Sequence, residues 1–204
     1  DEKYIRNLLN NDLKINNNYN YILVANNFCQ QHNTIYHIVL YFNNPKNEIC
    51  EEIISNNKYK NRYNNNNDAF IHIRAINSEM HKSYCKTEVP DFPTLEYYEK
   101  IIEKHINSVD NIYISSDNIN NNIINSLMSK YNNLKKVNLS SVDTILFGST
   151  CKHVILSCGS YSFMLGIFSF FSNVYYNKEA GKGWHSKFYT QFINKDNTIE
   201  IDCS

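Results

Sequence analysis

The chain has 204 residues, enough for one large α/β domain or a lobe of something bigger, and its 20 basic residues balance 20 acidic ones. With no net charge and no basic run, a general nucleic-acid binder is disfavoured. No apolar stretch reaches the roughly 18 residues of a membrane span, Phe163 to Phe171 being too short, and no signal peptide is visible.

Residues 1–67 read as the end or remnant of a preceding lobe, with a strand at Tyr21 to Ala25 and helical stretches at Thr34 to Phe42 and Glu48 to Ile54. From Asp68 strands and helices alternate, the pattern that builds a parallel sheet. Ala69 to Ile73 is the first strand, and Thr94 to Ile106 follows as a helix, with Pro93 as its start signal and apolar residues at helical spacing. Asn111 to Ser115 is a strand, Ile119 to Tyr131 a helix and Lys136 to Leu139 a short strand. Ser141 to Thr150 is a helix, His153 to Leu156 a strand, Ser160 to Phe171 an apolar helix and Val174 to Tyr176 a fifth parallel strand. Phe188 to Ile193 and Thr198 to Ile201 read as a terminal hairpin around Lys195-Asp196-Asn197. Residues 68–204 are therefore expected to form an α/β, Rossmann-like, doubly wound parallel sheet that binds a nucleotide.

Asn-rich patches such as Asn64 to Asn67 and Asn118 to Asn125 reflect AT-rich coding rather than prion-like disorder, because the apolar runs between them are regular. The six cysteines, Cys29, Cys50, Cys85, Cys151, Cys158 and Cys203, form no C-x-x-C pair and read mostly as reduced core thiols.

His72-Ile73-Arg74 carries the chemistry. The two polar residues sit on alternate positions at the carboxyl end of a strand, so they point the same way at the edge where α/β sheets bind ligands. Leu156 to Ser162 reads as a second strand end, running into a Gly/Ser-rich helix start whose free N–H groups and positive dipole suit a phosphate. Gly159 allows close backbone approach, and Ser160, Tyr161 and Ser162 supply the helix start. A guanidinium and a helix N-terminus meeting at one sheet edge suggest a diphosphate site. Each residue has a plainer role beside this one. Arg74 could make a structural ion pair, His72 could orient it from the core, Ser160 to Ser162 and Asp143 could be helix caps, and Asp117 could simply end a strand. The Asn77 to Phe92 loop holds Glu79 and His81, either able to serve as a base, and Trp184-His185 could lie on a sugar. There is no D-x-D motif and no metal-ligand spacing among the histidines, so no bound metal is expected.

His72-Ile73-Arg74, the Tyr113-Ile114-Ser115-Ser116-Asp117 strand end, the Asp143 to Cys151 helix and the Ser157 to Phe171 segment resemble, in order and spacing, the alpha-1,2-fucosyltransferase family. Phe28-Cys29-Gln30 is similar to that family's Y-F-Q element. The resemblance spans roughly Asn26 to His185. It implies the nucleotide-binding lobe of a GT-B glycosyltransferase that moves fucose from GDP-fucose to a glycan hydroxyl, by inversion and without metal or other cofactor. By resemblance Arg74 contacts the donor diphosphate and assists catalysis, His72 and Asp143 lie near the guanine, and Ser160-Tyr161-Ser162 holds the phosphates. The implied partners are a nucleotide sugar and a glycan acceptor. The expected compartment is cytoplasmic, or Golgi or another membrane-associated site if the full-length protein carries an anchor. Ala75 stands where the family has a second arginine, and Ile76-Asn77 replaces its Gly-Asp. Those departures support two alternatives on the same fold: a transferase of another nucleotide sugar, and a non-catalytic glycan- or protein-binding module.

Overall fold

A computed structural model describes residues 45–75, 93–177 and 197–201. The expected strand at Tyr21 to Ala25, the Thr34 to Phe42 helix, Phe28-Cys29-Gln30, the Asn77 to Phe92 loop and Trp184-His185 lie outside them.

Among the described residues six parallel strands form the sheet: β1 (Ala69–Ile73), β2 (Ile112–Ser116), β3 (Leu134–Lys136), β4 (His153–Ile155), β5 (Asn173–Asn177) and β6 (Thr198–Ile201). Their order is β3-β2-β1-β4-β5-β6. The helices are α1 (Glu48–Asn56), α2 (Leu95–His105), α3 (Asn122–Lys130), α4 (Ser141–Gly148) and α5 (Ser160–Phe168).

Alternation along the strands separates two cores. Ala69, Ile71 and Ile73 of β1, with Ile112, Ile114, Ile155 and Tyr175, pack against Tyr97, Tyr98, Ile101 and Ile102 of α2 and Ile124 and Leu127 of α3. On the opposite face Phe70, Val154, Val174 and Tyr176 meet Phe163, Leu165 and Ile167 of α5, with Phe147 of α4 packed alongside. All five residues of β1 are buried, as a central strand with helices on both faces requires. The expected parallel α/β sheet, doubly wound and Rossmann-like in strand order, is thus present.

Boundaries differ from the sequence reading where side chains compete with the backbone. The helix expected from Ile119 starts at Asn122, because Asn118 and Asn120 are held in side-chain turns: Asn118 N–H donates to Ser116 Oγ and Asn120 N–H to Asn118 Oδ1. Asn121 then caps α3 by accepting from Ile123 N–H at 2.7 Å. β3 lies at Leu134–Lys136 rather than Lys136 to Leu139, since Leu134 supplies the buried side chain opposite Ile112. Of the expected terminal hairpin, Phe188 to Ile193 lies outside the described residues, which leaves Thr198–Ile201. It lies parallel to β5, from Val174↔Thr198 to Asn177↔Ile201, and its buried Ile201 joins the α2–α3 face.

Residues 45–67 pack onto this body. Asn57 Nδ2 donates to Leu146 O at 2.9 Å, and Arg62 pairs with Asp68 at 2.7 Å. Cys50, Cys151 and Cys158 are buried thiols outside any disulfide.

Candidate functional site

The strand order reverses at β1. The chain runs outward through β2 and β3 and returns to place β4 on β1's other side, so the carboxyl ends of these strands border a crevice. An open cavity of about 550 Å³ lies at that edge. His72 and Arg74 reach it from β1, Ser115 to Asp117 from β2, and Lys136 to Leu139 from the end of β3. Ser141 and Thr144 of α4 and Tyr161 of α5 close it.

His72 is buried on the α5 face of β1, and its ring tilts against Tyr161 with centroids 4.8 Å apart. Burial holds its pKa down at about 4, with the Asp117 carboxylate opposing and the Arg74 guanidinium adding to the effect. The imidazole is therefore neutral at pH 7. Its Nδ1 lies 2.5 Å from Ser162 Oγ, which itself accepts from Ser157 N–H at 3.1 Å. The hydroxyl has a second lone pair as well as its proton, so either tautomer of the neutral ring satisfies this contact.

Ser157 Oγ in turn accepts from Arg74 N–H at 3.0 Å. One chain of contacts, His72 to Ser162 to Ser157 to Arg74, thus locks the end of β1 to the turn after β4. The Arg74 side chain runs the other way. Its Nη1 meets Asp117 Oδ2 at 2.9 Å, and Asp117 Oδ1 accepts from Ala75 N–H at 2.6 Å. The structural ion pair weighed from sequence is present, yet the Arg74 side chain keeps 41% of its surface exposed. A guanidinium carries five N–H donors in a planar fork, so donors remain for a ligand.

The other expected site residues divide. Tyr161 lines the cavity and ties α5 to α4 through a 2.6 Å bond from its hydroxyl to Ser141 O. Gly159 caps α5 with φ 91°, a left-handed backbone that favours glycine, and has no side chain with which to cap the helix. Ser160 is exposed just outside the cavity wall. Ser162 is fully buried, so it supports His72 instead of meeting a ligand. Asp143 is the third residue of α4, takes Lys58 Nζ at 2.6 Å and does not line the cavity. Lys58 and Ser140 hold its carboxyl below the usual aspartate range.

Sequence reasoning missed the far wall. Val137 and Leu139 read as strand residues but flank the cavity beyond β3, with Ile119 beside them. Their apolar signal was visible; its destination depended on where β3 stops. Among the described residues no cluster of three or more His, Cys, Asp or Glu side chains is placed to hold a metal ion, and no helix is long and apolar enough to cross a membrane. Comparison with protein-family models, curated proteins and solved structures finds no match to this chain.

Proposed function

We propose that this chain is the donor-binding lobe of a GT-B glycosyltransferase that moves fucose from GDP-fucose to a glycan hydroxyl. The observation that carries this reading is Arg74, half-exposed beside neutral His72 and the first turn of α5 at an open cavity on the carboxyl edge of a parallel sheet. The motif order along the sequence supplies the choice of sugar and nucleotide. In the transfer step the acceptor hydroxyl oxygen attacks the anomeric carbon as a base takes its proton. The bond from that carbon to the diphosphate breaks, and GDP leaves with the electron pair. Arg74 offsets the charge that develops on the diphosphate, a role needing no divalent cation.

The Arg74–Asp117 pair favours a second reading, a lobe that binds a nucleotide sugar or glycan without transferring it, because the guanidinium is already partly committed. Turnover of GDP-fucose by the full-length protein, against binding alone, separates the two.

Thermal melting with nucleotides tests the donor assignment. A ligand that binds only the native state stabilises it by about 2.7 kcal/mol at one hundred times its dissociation constant. GDP should raise the melting temperature, in the presence of excess chelator as well, while UDP and dTDP leave it in place. A melting temperature unmoved by saturating GDP removes the nucleotide assignment, and a shift that disappears with chelator removes the metal-free one.

A further inference from the structure

The cavity is chemically polarised along the sheet edge. At β1 and β2 it presents the Arg74–Asp117 pair; at β3 it presents Ile119, Val137 and Leu139, with Leu139 partly exposed on the rim. Neighbouring strands lie about 4.8 Å apart, so roughly 10 Å separates the two ends. Between the two apolar β3-end residues stands Asn138, an exposed cavity residue whose carboxamide has no hydrogen-bond partner among the described residues. A carboxamide presents one acceptor and one donor side by side, the pattern that pairs with the edge of a nucleobase.

We infer that the nucleotide lies along the sheet edge with its diphosphate at Arg74 and its base on the Ile119–Val137–Leu139 shelf, read by Asn138. Asp117, midway, retains lone pairs for ribose hydroxyls after serving Arg74 and Ala75 N–H, and the carboxyl end of the second strand is where such sheets hold a ribose. This rests on the donor-binding reading and changes its detail. The base moves away from His72, whose ring is buried under Tyr161, and from Asp143, which is tied to Lys58.

Calorimetric titration with GDP and with inorganic diphosphate tests the orientation, because diphosphate lacks the base. Asn138→Ala should weaken GDP about tenfold, the loss of a pair of hydrogen bonds, and leave diphosphate binding unchanged. Arg74→Ala should weaken both ligands. Lys136→Ala, whose amine is held by Ile119 O at 3.2 Å, should spare diphosphate. Loss of diphosphate binding in Lys136→Ala with retention in Arg74→Ala means the nucleotide lies the other way round. An Asn138→Ala protein that binds GDP like the parent overturns the base assignment while the donor reading stands. A parent protein that binds neither ligand overturns both.

Discussion

His72 shows how one strand residue acquires a fixed protonation state. Its neighbours are an apolar sheet face, the Tyr161 ring and a hydroxyl positioned by Ser157, so the neutral ring is satisfied and the charged ring is not. A histidine whose folded pKa is about 4 against an unfolded value near 6.5 binds fewer protons in the native state between those values. Stability is therefore fully present above about pH 6.5 and is lost as pH falls towards 4, by on the order of 1–3 kcal/mol. His153, held by Tyr175 Oη at 3.0 Å and likewise depressed to about 4 by burial, adds in the same direction. Urea unfolding at pH 7 and pH 5 should show a lower midpoint at pH 5, with the difference reduced in His72→Gln. A His72→Gln protein with the parent's full pH dependence would place the effect elsewhere.

At the scale of elements, α4 and β1 approach so closely that a glycine is needed. A Cβ added to Gly148 would lie 2.7 Å from Phe70 Cδ1 and 2.8 Å from Cε1, and that ring is fully buried between the sheet and Phe147. Helix propensity alone favours Gly148→Ala by up to about 1 kcal/mol, but overpacking a buried ring costs about 1–3 kcal/mol. The overlap should win, and chemical denaturation should show a lower midpoint for Gly148→Ala. A midpoint raised above the parent's would mean that Phe70 moves aside freely.

The same contact marks how far the sequence could be read. Short apolar runs separated by helical patterns placed β1, β2, β4 and β5 within a residue or two, because each strand buries side chains on both faces. Pro93 marked the start of α2 within two residues, and α4 begins at Ser141 as expected, although its cap is Ser140, which accepts from Asp143 N–H at 3.1 Å. Local pattern could not show that Asn118 and Asn120 would form turns, that Ser162 would face inward to His72, or that Val137 and Leu139 would border a cavity. Each of those depends on a partner distant in sequence or on where a strand happens to stop.

For the whole molecule, Arg62 fastens the segment ahead of β1 to the sheet. Its guanidinium holds Asp68 Oδ2 at 2.7 Å and Thr150 Oγ1 at 3.2 Å, and lies 4.6 Å from the Phe147 ring centre. Asp68, buried at the entrance to β1, also accepts from Asn111 Nδ2 at 2.7 Å. Arg62→Ala leaves that carboxylate without its cation and should cost about 3 kcal/mol, more than an exposed ion pair is worth. Calorimetry should show a lowered melting temperature, with partial recovery in Arg62→Ala/Asp68→Asn. A single variant that melts with the parent would reduce the pair to a surface contact.

The strand order also governs how the polypeptide comes together during synthesis. Ala69 of β1 pairs with both Ile112 and His153, so the central strand gains its second neighbour only after more than eighty further residues have emerged. Until Ile155 leaves the ribosome, β1 carries one open edge of unpaired amides on an Ile- and Phe-rich segment, the kind of surface on which nascent chains aggregate or recruit chaperones. The crevice that would receive a ligand is bounded by that same late pairing. The crevice is therefore complete only once β4 and the helices beside it have joined the first half of the sheet.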